Sequence, residues 1–279
     1  IYFVMWGFLV FSAIIFFLSG VDDLFFDVYY WLSEANRRWK YRHAEPFTYE
    51  KLISVPEKRI AVMVPCWHEA GVIEVMLRHN VFSIEYSQYD FFVGVYSNDP
   101  ATVAAVQGIA DTMPHVHCVI GPEPGPTNKA ANLNIVYKHI SQHEKEHGIE
   151  YDMFVLHDSE DVIHPLGFKL FNYLSARFDM IQIPVFPLPV ALYHLTHWTY
   201  AAEFSEIHTK DIFVRERIGG LVPSAGVGTA FSRRAIEMLT RKQGAPFRGG
   251  TLTEDYDTAL QLRLGGLSQA FVSQSMLRT

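Results

Sequence analysis

"FVLHDSEDVIHP", Phe154 to Pro165, decides how this chain is read: three apolar residues run into Asp158, Glu160 and Asp161, with His157 and His164 on either side. With 30 Asp and Glu among 279 residues, composition alone supplies about one such cluster. In isolation the stretch is equally a solvated turn opened by Asp158 or Ser159, or a place where hard carboxylate oxygens hold a divalent cation beside a phosphate. Its surroundings separate the two readings.

The run leading into the acids, "YDMFVLH", is one of five short segments rich in β-branched and aromatic residues. The others are "RIAVMVP", "YDFFVGVYS", "VHCVI" and "DMIQIPV". Helical patterns at 70–82, 101–112, 127–146 and 165–178 alternate with them. This alternation predicts an α/β domain: a mostly parallel, Rossmann-like sheet with helices on both faces. Ligands of such sheets bind beyond the carboxyl ends of the strands. Here the first strand ends into His68 and Glu69, the second into Asn98 and Asp99, and the fourth into Asp158, Glu160 and Asp161. Three strands delivering carboxylates to one edge favour a functional reading of the cluster.

Other segments carry weaker signals. "TLTEDYDTALQLRLGG" reads as a helix with an apolar stripe at Tyr256, Ala259, Leu260 and Leu264 and a stop at Gly265-Gly266. Thr251 and Glu254 fit a capping box, and acids in a first turn suit the helix dipole. The functional counterpart is a carboxylate, Glu254 or Asp255, placed as a general base for an acceptor hydroxyl. In "TNKAANLN", Lys129 lies at a predicted helix start, where an ammonium and backbone N–H groups hold phosphate, or where a lysine simply faces water. "GPEPGPTN" before it is loop chemistry. "GVGTAFSRRA" offers a flexible turn, a short strand, and Arg233 and Arg234, which are either anion ligands or a solvated helix start. "HEKEH", His143 to His147, matches a zinc-protease pattern, but it falls at the polar end of a helix without an apolar bed. His194 and His197, with Glu203 and Glu206, are assigned to an amphipathic helix near a membrane rather than to a metal.

In order along the chain, these segments resemble the family 2 glycosyltransferases, inverting enzymes of the GT-A fold. "VPCWHEA" resembles a P-x-x-N-E element with His68 in the Asn place, and "YSNDP" stands at the second-strand carboxylate. "NKAANLN" resembles K-A-x-x-L-N, "HDSEDVIHP" the metal-binding D-x-D, "GTAFSRRA" the segment before T-E-D, and "TLTEDYDTAL" the T-E-D motif itself. The match covers about residues 58–270. Within the family, "LHDSEDVIHP" and the N-terminal helix are most similar to the bacteriophage adsorption protein B group of bacterial inner-membrane glycosyltransferases. The resemblance implies a nucleotide-sugar donor of the UDP type, bound by Glu69, Asp99 and Lys129. It also implies Mg²⁺ or Mn²⁺ on Asp158 with Glu160 or Asp161, and Asp255 as base with Glu254 beside it. The implied acceptor is a glycan or a lipid-linked sugar, with an outer-membrane or export partner and a role in cell-surface polysaccharide synthesis. Processive relatives continue to a Q-x-x-R-W motif; here "SQAFVSQSMLRT" reads as a strand that a longer domain continues. The competing reading is a phage-receptor or scaffold component with a degenerate transferase site.

The net charge of −7 gives no support to nucleic-acid binding. Cys66 and Cys118 sit in apolar runs and suit a reducing compartment. "IYFVMWGFLVFSAIIFFLSGV" carries no charge from Ile1 to Val21, enough helix to span about 30 Å of hydrocarbon. The expected organisation is therefore a transmembrane helix at 1–22, an interfacial helix and basic linker at 23–57, and the transferase domain at 58–279. Arg37, Arg38, Lys40 and Arg42 follow the span and place the domain on the cytoplasmic side; that the membrane is a bacterial inner membrane is what the resemblance implies.

Overall fold

The computed structural model describes residues 2–40, 42–43, 48–191, 193–250 and 253–272. It divides into two compact units, residues 47–185 with 221–279, and residues 1–46 with 186–220. The chain opens with α1 (Tyr2–Lys40) and a short α2 (Tyr49–Ile53). Strands and helices then alternate: β1 (Ile60–Pro65), α3 (Ala70–Ser83), β2 (Tyr89–Tyr96), α4 (Pro100–Ala110), β3 (Val116–Gly121), α5 (Lys129–His147), β4 (Met153–Leu156), α6 (Gly167–Leu174) and β5 (Met180–Gln182). After α7 (Leu195–Glu206), a π-helical turn (Ile207–Asp211) and α8 (Ile212–Arg217) come β6 (Thr229–Ser232), α9 (Arg233–Gln243), α10 (Glu254–Leu264) and β7 (Gln269–Phe271).

The larger unit is built on a seven-stranded sheet of order β3-β2-β1-β4-β6-β5-β7. β1 pairs in parallel with β2 and β4, and β2 with β3. β6 runs antiparallel to both its neighbours, β4 and β5, a reversal the alternating pattern did not predict. Parallel pairing follows from a crossover helix packed between strands, whereas the helices between β5 and β6 belong to the smaller unit. The order of strands reverses between β1 and β4, so the switch point falls where the first and fourth strands end.

Central position explains the β1 sequence. Ile60 to Val64 are fully buried between β2 and β4, so the strand reads as an unbroken apolar run. Ile60, Val62, Met63 and Val64 each contribute about 1.5–3 kcal/mol when removed from water. Phe168 and Phe171 of α6 join this core, with Phe168 edge-on to Tyr86 and Tyr89. Helix starts are set by local chemistry: Asp99 caps α4 by accepting from Thr102 N at 3.3 Å, with Pro100 at the first helical position. Asn128 caps α5 by accepting from Ala131 N at 2.8 Å.

α10 departs from its predicted stripe. Thr258, Ala259 and Leu262 face inward, whereas Tyr256, Leu260 and Leu264 are exposed. Packing of α10 against α9 selects a face rotated from the most apolar one. The capping box proposed at Thr251 and the strand continuation at 273–279 lie outside the described residues.

In the smaller unit, α1 runs unbroken from Tyr2 to Lys40, through the position where the span was expected to end. Its apolar part is long enough to cross a membrane and lies exposed. Residues 186–220 pack with it, anchored by a Lys210 Nζ to Asp27 Oδ1 ion pair at 2.7 Å and by Tyr30 against Phe213 at 5.6 Å.

Candidate active site

Between the carboxyl ends of β1 and β4 opens a cavity of about 390 Å³, walled by Trp67, Glu69, Tyr96, Pro126, Lys129, Asp158 and Glu160 among others. Behind the β1 end, His68 adopts a left-handed backbone, φ 58°, a conformation costly for any residue with a side chain. Asp99 holds it there: His68 N donates to Asp99 Oδ2 at 2.7 Å, and the imidazole Nδ1 lies 3.6 Å from Oδ1. Burial pushes the Asp99 pKa up, but the bonds from Thr102 and His68 outweigh it and hold the carboxyl below the usual range. Asp99, only 3 % exposed, thus stands behind the wall and shapes the turn that presents Glu69.

The opposite wall is the 121–128 loop. Asn98 clamps Gly125 with two bonds, donating Nδ2 to the Gly125 carbonyl and accepting from Gly125 N, each at 2.7 Å. Gly125 presses against Trp67 and Tyr96 so closely that a Cβ would stand 2.6 Å from the Trp67 ring. Trp67 and Tyr96 meet edge to face at 5.1 Å, and Tyr96 Oη bonds Thr127 Oγ1 at 2.7 Å. The cavity therefore has an aromatic corner, fixed before any ligand enters.

At the β4 end the three acids take different positions. Asp161 folds back: its Oδ2 accepts from His157 Nδ1 at 2.8 Å and from Asp158 N at 3.0 Å. Asp158 and Glu160 face the cavity. Burial, with the charges of Asp158, Glu69 and Asp161, raises the Glu160 pKa. Lys129 Nζ donates to Asp158 Oδ1 at 2.7 Å. The turn itself is held by Asn80 of α3, fully buried, whose Nδ2 donates to the Asp161 carbonyl at 2.8 Å and whose Oδ1 accepts from Ile163 N at 2.9 Å.

Lys129 reaches a second element, donating to the Gly226 carbonyl at 3.1 Å. Gly226 has φ 73°, and a Cβ there would stand 3.0 Å from Lys129 Nζ and collide with the Asp255 carboxylate. Lys129 and Asp255 thus converge over one glycine. Burial lifts the Asp255 pKa to about 6, opposed by Lys129 and assisted by Glu254 and Asp158. The loop carrying Gly226 hangs on Gln182, fully buried in β5. Its Oε1 accepts from Ala225 N at 2.9 Å and Thr229 Oγ1 at 2.6 Å, and its Nε2 donates to the Val227 carbonyl at 2.9 Å.

Sequence reasoning missed Asn80, Asn98 as a clamp, and Gln182. The available signal was a polar residue interrupting an apolar run, Gln182 in "DMIQIPV" and Asn80 in "RHNVF". The paired arginines stand apart from the cavity wall: Arg233 pairs with Glu144 and donates to the Tyr151 carbonyl at 2.7 Å, and Arg234 lies 3.9 Å from Asp179. In "HEKEH", the His143 and His147 rings stack at 4.1 Å, and no metal-binding group of three His, Cys, Asp or Glu occurs among the described residues. Cys66 and Cys118 are both free thiols.

A seven-stranded α/β sheet with acids at the switch point and a carboxylate opening a late helix defines a class of nucleotide-using transferases. The family model "Glycosyltransferase like family 2" matches residues 56–279, and the chain belongs to that family. It is similar to the bacteriophage adsorption protein B of Escherichia coli (strain K12), 45% identical over 262 residues, covering 93% of this chain and 35% of that protein. The chain thus spans about a third of the length of this curated relative. Among solved structures it resembles a mannosyltransferase from Pyrobaculum calidifontis in complex with GDP-Man and Mn²⁺, with TM-score 0.57, 18% identity, and 88% and 61% of the two chains covered. It also resembles S. aureus TarS 1–349 in complex with UDP-GlcNAc, with TM-score 0.50, 12% identity, and coverage of 78% and 57%. These likenesses establish the GT-A fold.

Proposed function

We propose that this domain transfers a sugar from a nucleotide-diphosphate donor to a hydroxyl acceptor, inverting the anomeric carbon, with a divalent cation at Asp158 and Glu160. The observation that carries the reading is the convergence on Gly226 of Asp255 and of Lys129, which also bonds the cavity-facing Asp158. Two cavity-facing carboxylates are a fitting donor set for Mg²⁺ or Mn²⁺, which keep waters and take further oxygens from phosphate. Burial first, and then the neighbouring charges of Asp158, Glu69 and Asp161, raise the Glu160 pKa, and a cation would offset the part owed to those charges. When bound, the cation offsets charge on the departing diphosphate. Asp161 keeps a different task, tying His157 to the turn that aims Asp158.

The nucleoside enters against Trp67 and Tyr96, with Glu69 at the pocket floor and Asp99 holding the Glu69 turn. Lys129 draws the diphosphate toward Asp158. Asp255, ionised, accepts the acceptor's hydroxyl proton as the oxygen attacks, while the bond from the anomeric carbon to the diphosphate oxygen breaks. A single displacement from the opposite face inverts the centre. Glu254 raises the proton affinity of Asp255. Donors of the UDP or GDP type are both carried by solved structures of this fold.

α1 anchors the protein in a bacterial inner membrane with the transferase domain in the cytoplasm, by the basic residues that end it. The acceptor is a cell-surface glycan or its lipid-linked precursor, handed on to an export partner. A donor screen on membranes holding the full-length protein tests this reading. Mn²⁺-dependent release of nucleotide from one sugar donor is expected, abolished by chelator. No release from any donor transfers the reading to a scaffold with a silent site.

A further inference from the structure

From Phe186 to Ala202 the chain carries no Asp, Glu, Lys or Arg. Yet Phe186, Leu188, Tyr193, Leu195, Trp198 and Tyr200 all present side chains to the outside, Tyr193 and Leu195 by 79 % and 74 %. Large apolar side chains exposed together mark an interaction surface. The same helix is well packed further on: Ala201, His208, Ile212 and Phe213 are buried. Charge returns there too, with Glu203, Glu206, Lys210, Asp211, Arg215 and Arg217.

The fastening to α1 sets a direction. Asp27 bonds Lys210, and one turn later on both helices Tyr30 packs against Phe213. The two helices therefore run the same way at this point. Traced back from Lys210, α7 heads toward the end of α1 that carries the uncharged Ile1–Val21 run. α1 packs mainly against the π-helical turn and α8 rather than along α7, so the two helices diverge and α7 is not carried down the length of the span. Both segments pass from charged to apolar in the same sense.

We infer that residues 186–202 are a second membrane contact, an uncharged aromatic-rich segment seated in the headgroup–acyl boundary of the leaflet from which α1 emerges. The occupant of the apolar surface is the phospholipid bilayer. The segment is too short to span. Residues 186–191, 193 and 194 are not helical, and Pro187 and Pro189 interrupt their backbone. Backbone without a helical ladder is excluded from the hydrocarbon core but not from the boundary, where water still reaches it. Tyr193, Trp198 and Tyr200 combine apolar rings with polar tips, the side chains that favour this depth. The interface is continuous with α1 and rests on α1 being a span.

The test places a polarity-sensitive fluorophore at single cysteines in the full chain, with Cys118→Ser removing the partly accessible native thiol. The carriers are vesicles of phosphatidylcholine and phosphatidylglycerol. Leu9→Cys reports α1, Leu195→Cys the proposed contact, and Arg215→Cys the charged end. The expected result is blue-shifted emission at 9 and 195. Lipids spin-labelled deep in the acyl chain should quench position 9 more strongly, and those labelled near the headgroup position 195. Iodide in the water should quench position 215. A water-like spectrum at 195 with position 9 in lipid overturns the contact and leaves the anchor standing. A water-like spectrum at 9 overturns the anchor and the contact that rests on it. A dry position 195 that no lipid quencher reaches assigns the surface to protein, a second copy or a further segment, and also overturns the inference.

Discussion

Gly226 shows how much chemistry one residue can arrange. Its positive φ and missing side chain let Lys129 and Asp255 approach the same point. Gly226→Ala strains the backbone and pushes the carboxylate aside. Displacements on the order of 1 Å cost about 10²-fold in rate, so a loss of that size is expected in donor turnover, with the fold retained by circular dichroism. Asp255 predicts a pH profile. Its folded pKa is raised to about 6 by burial, Glu254 and Asp158, against Lys129, and the proposed base would work only when ionised. The transfer rate should therefore climb as pH rises through about 6 and level off above it. Stability follows the opposite sign. A carboxyl whose folded pKa exceeds its unfolded value of about 3.9 favours the folded state at low pH and loses that advantage as pH passes about 6. Asp255→Asn should raise the thermal midpoint at pH 8 and leave it unchanged at pH 3.5; an unchanged midpoint at both would show that ionisation carries no cost. Residues at strand ends and helix starts were legible in sequence because a charged side chain just after an apolar run announces itself. Asp99 was legible as an acid, but its two oxygens turned inward to His68 and Thr102, which no spacing rule foretells.

Whole elements depend on buried amides that look like interruptions in the sequence. Gln182 ties β5 to the Gly226 loop through four groups, and Asn80 ties α3 to the acid turn through two. Leaving a buried polar group unpaired costs about 1–3 kcal/mol. Asn80→Ala strands a carbonyl and an N–H, so denaturant melts should show destabilisation of about that size, together with weaker donor binding as Asp158 loses its fixed turn. Gln182→Leu should lower turnover more than donor affinity, because it frees the loop under Asp255 and leaves the Asp158 turn intact. The strands β1 to β4 and the helices between them were readable from period and punctuation: Asp99-Pro100 and Asn128 open α4 and α5 where caps are needed. The buried face of α10 was not, because Thr258 and Leu262 pack inward while the more apolar Leu260 and Leu264 do not. Nor was the antiparallel β6, since pairing direction is a property of the connection.

At the scale of the whole molecule, the alternating pattern between residues 59 and 182 is enough to place a switch point, and the reversal between β1 and β4 puts Glu69 and Asp158 on one cavity. What a linear reading could not assign is the unit to which residues 186–220 belong. They fall between two strands of the sheet but pack with α1, through contacts far apart in sequence, such as Lys210 with Asp27, 183 residues away. Such pairing leaves no local trace beyond an uncharged run.

The central claim is that Asp255 removes the acceptor proton while Asp158, Glu160 and Lys129 hold the donor. The most direct measurement sets transfer rate beside donor affinity in the Asp255→Asn variant of the full-length protein. The account predicts a fall in turnover of about 10²- to 10⁴-fold with donor affinity essentially retained. Turnover close to that of the unsubstituted protein would contradict it.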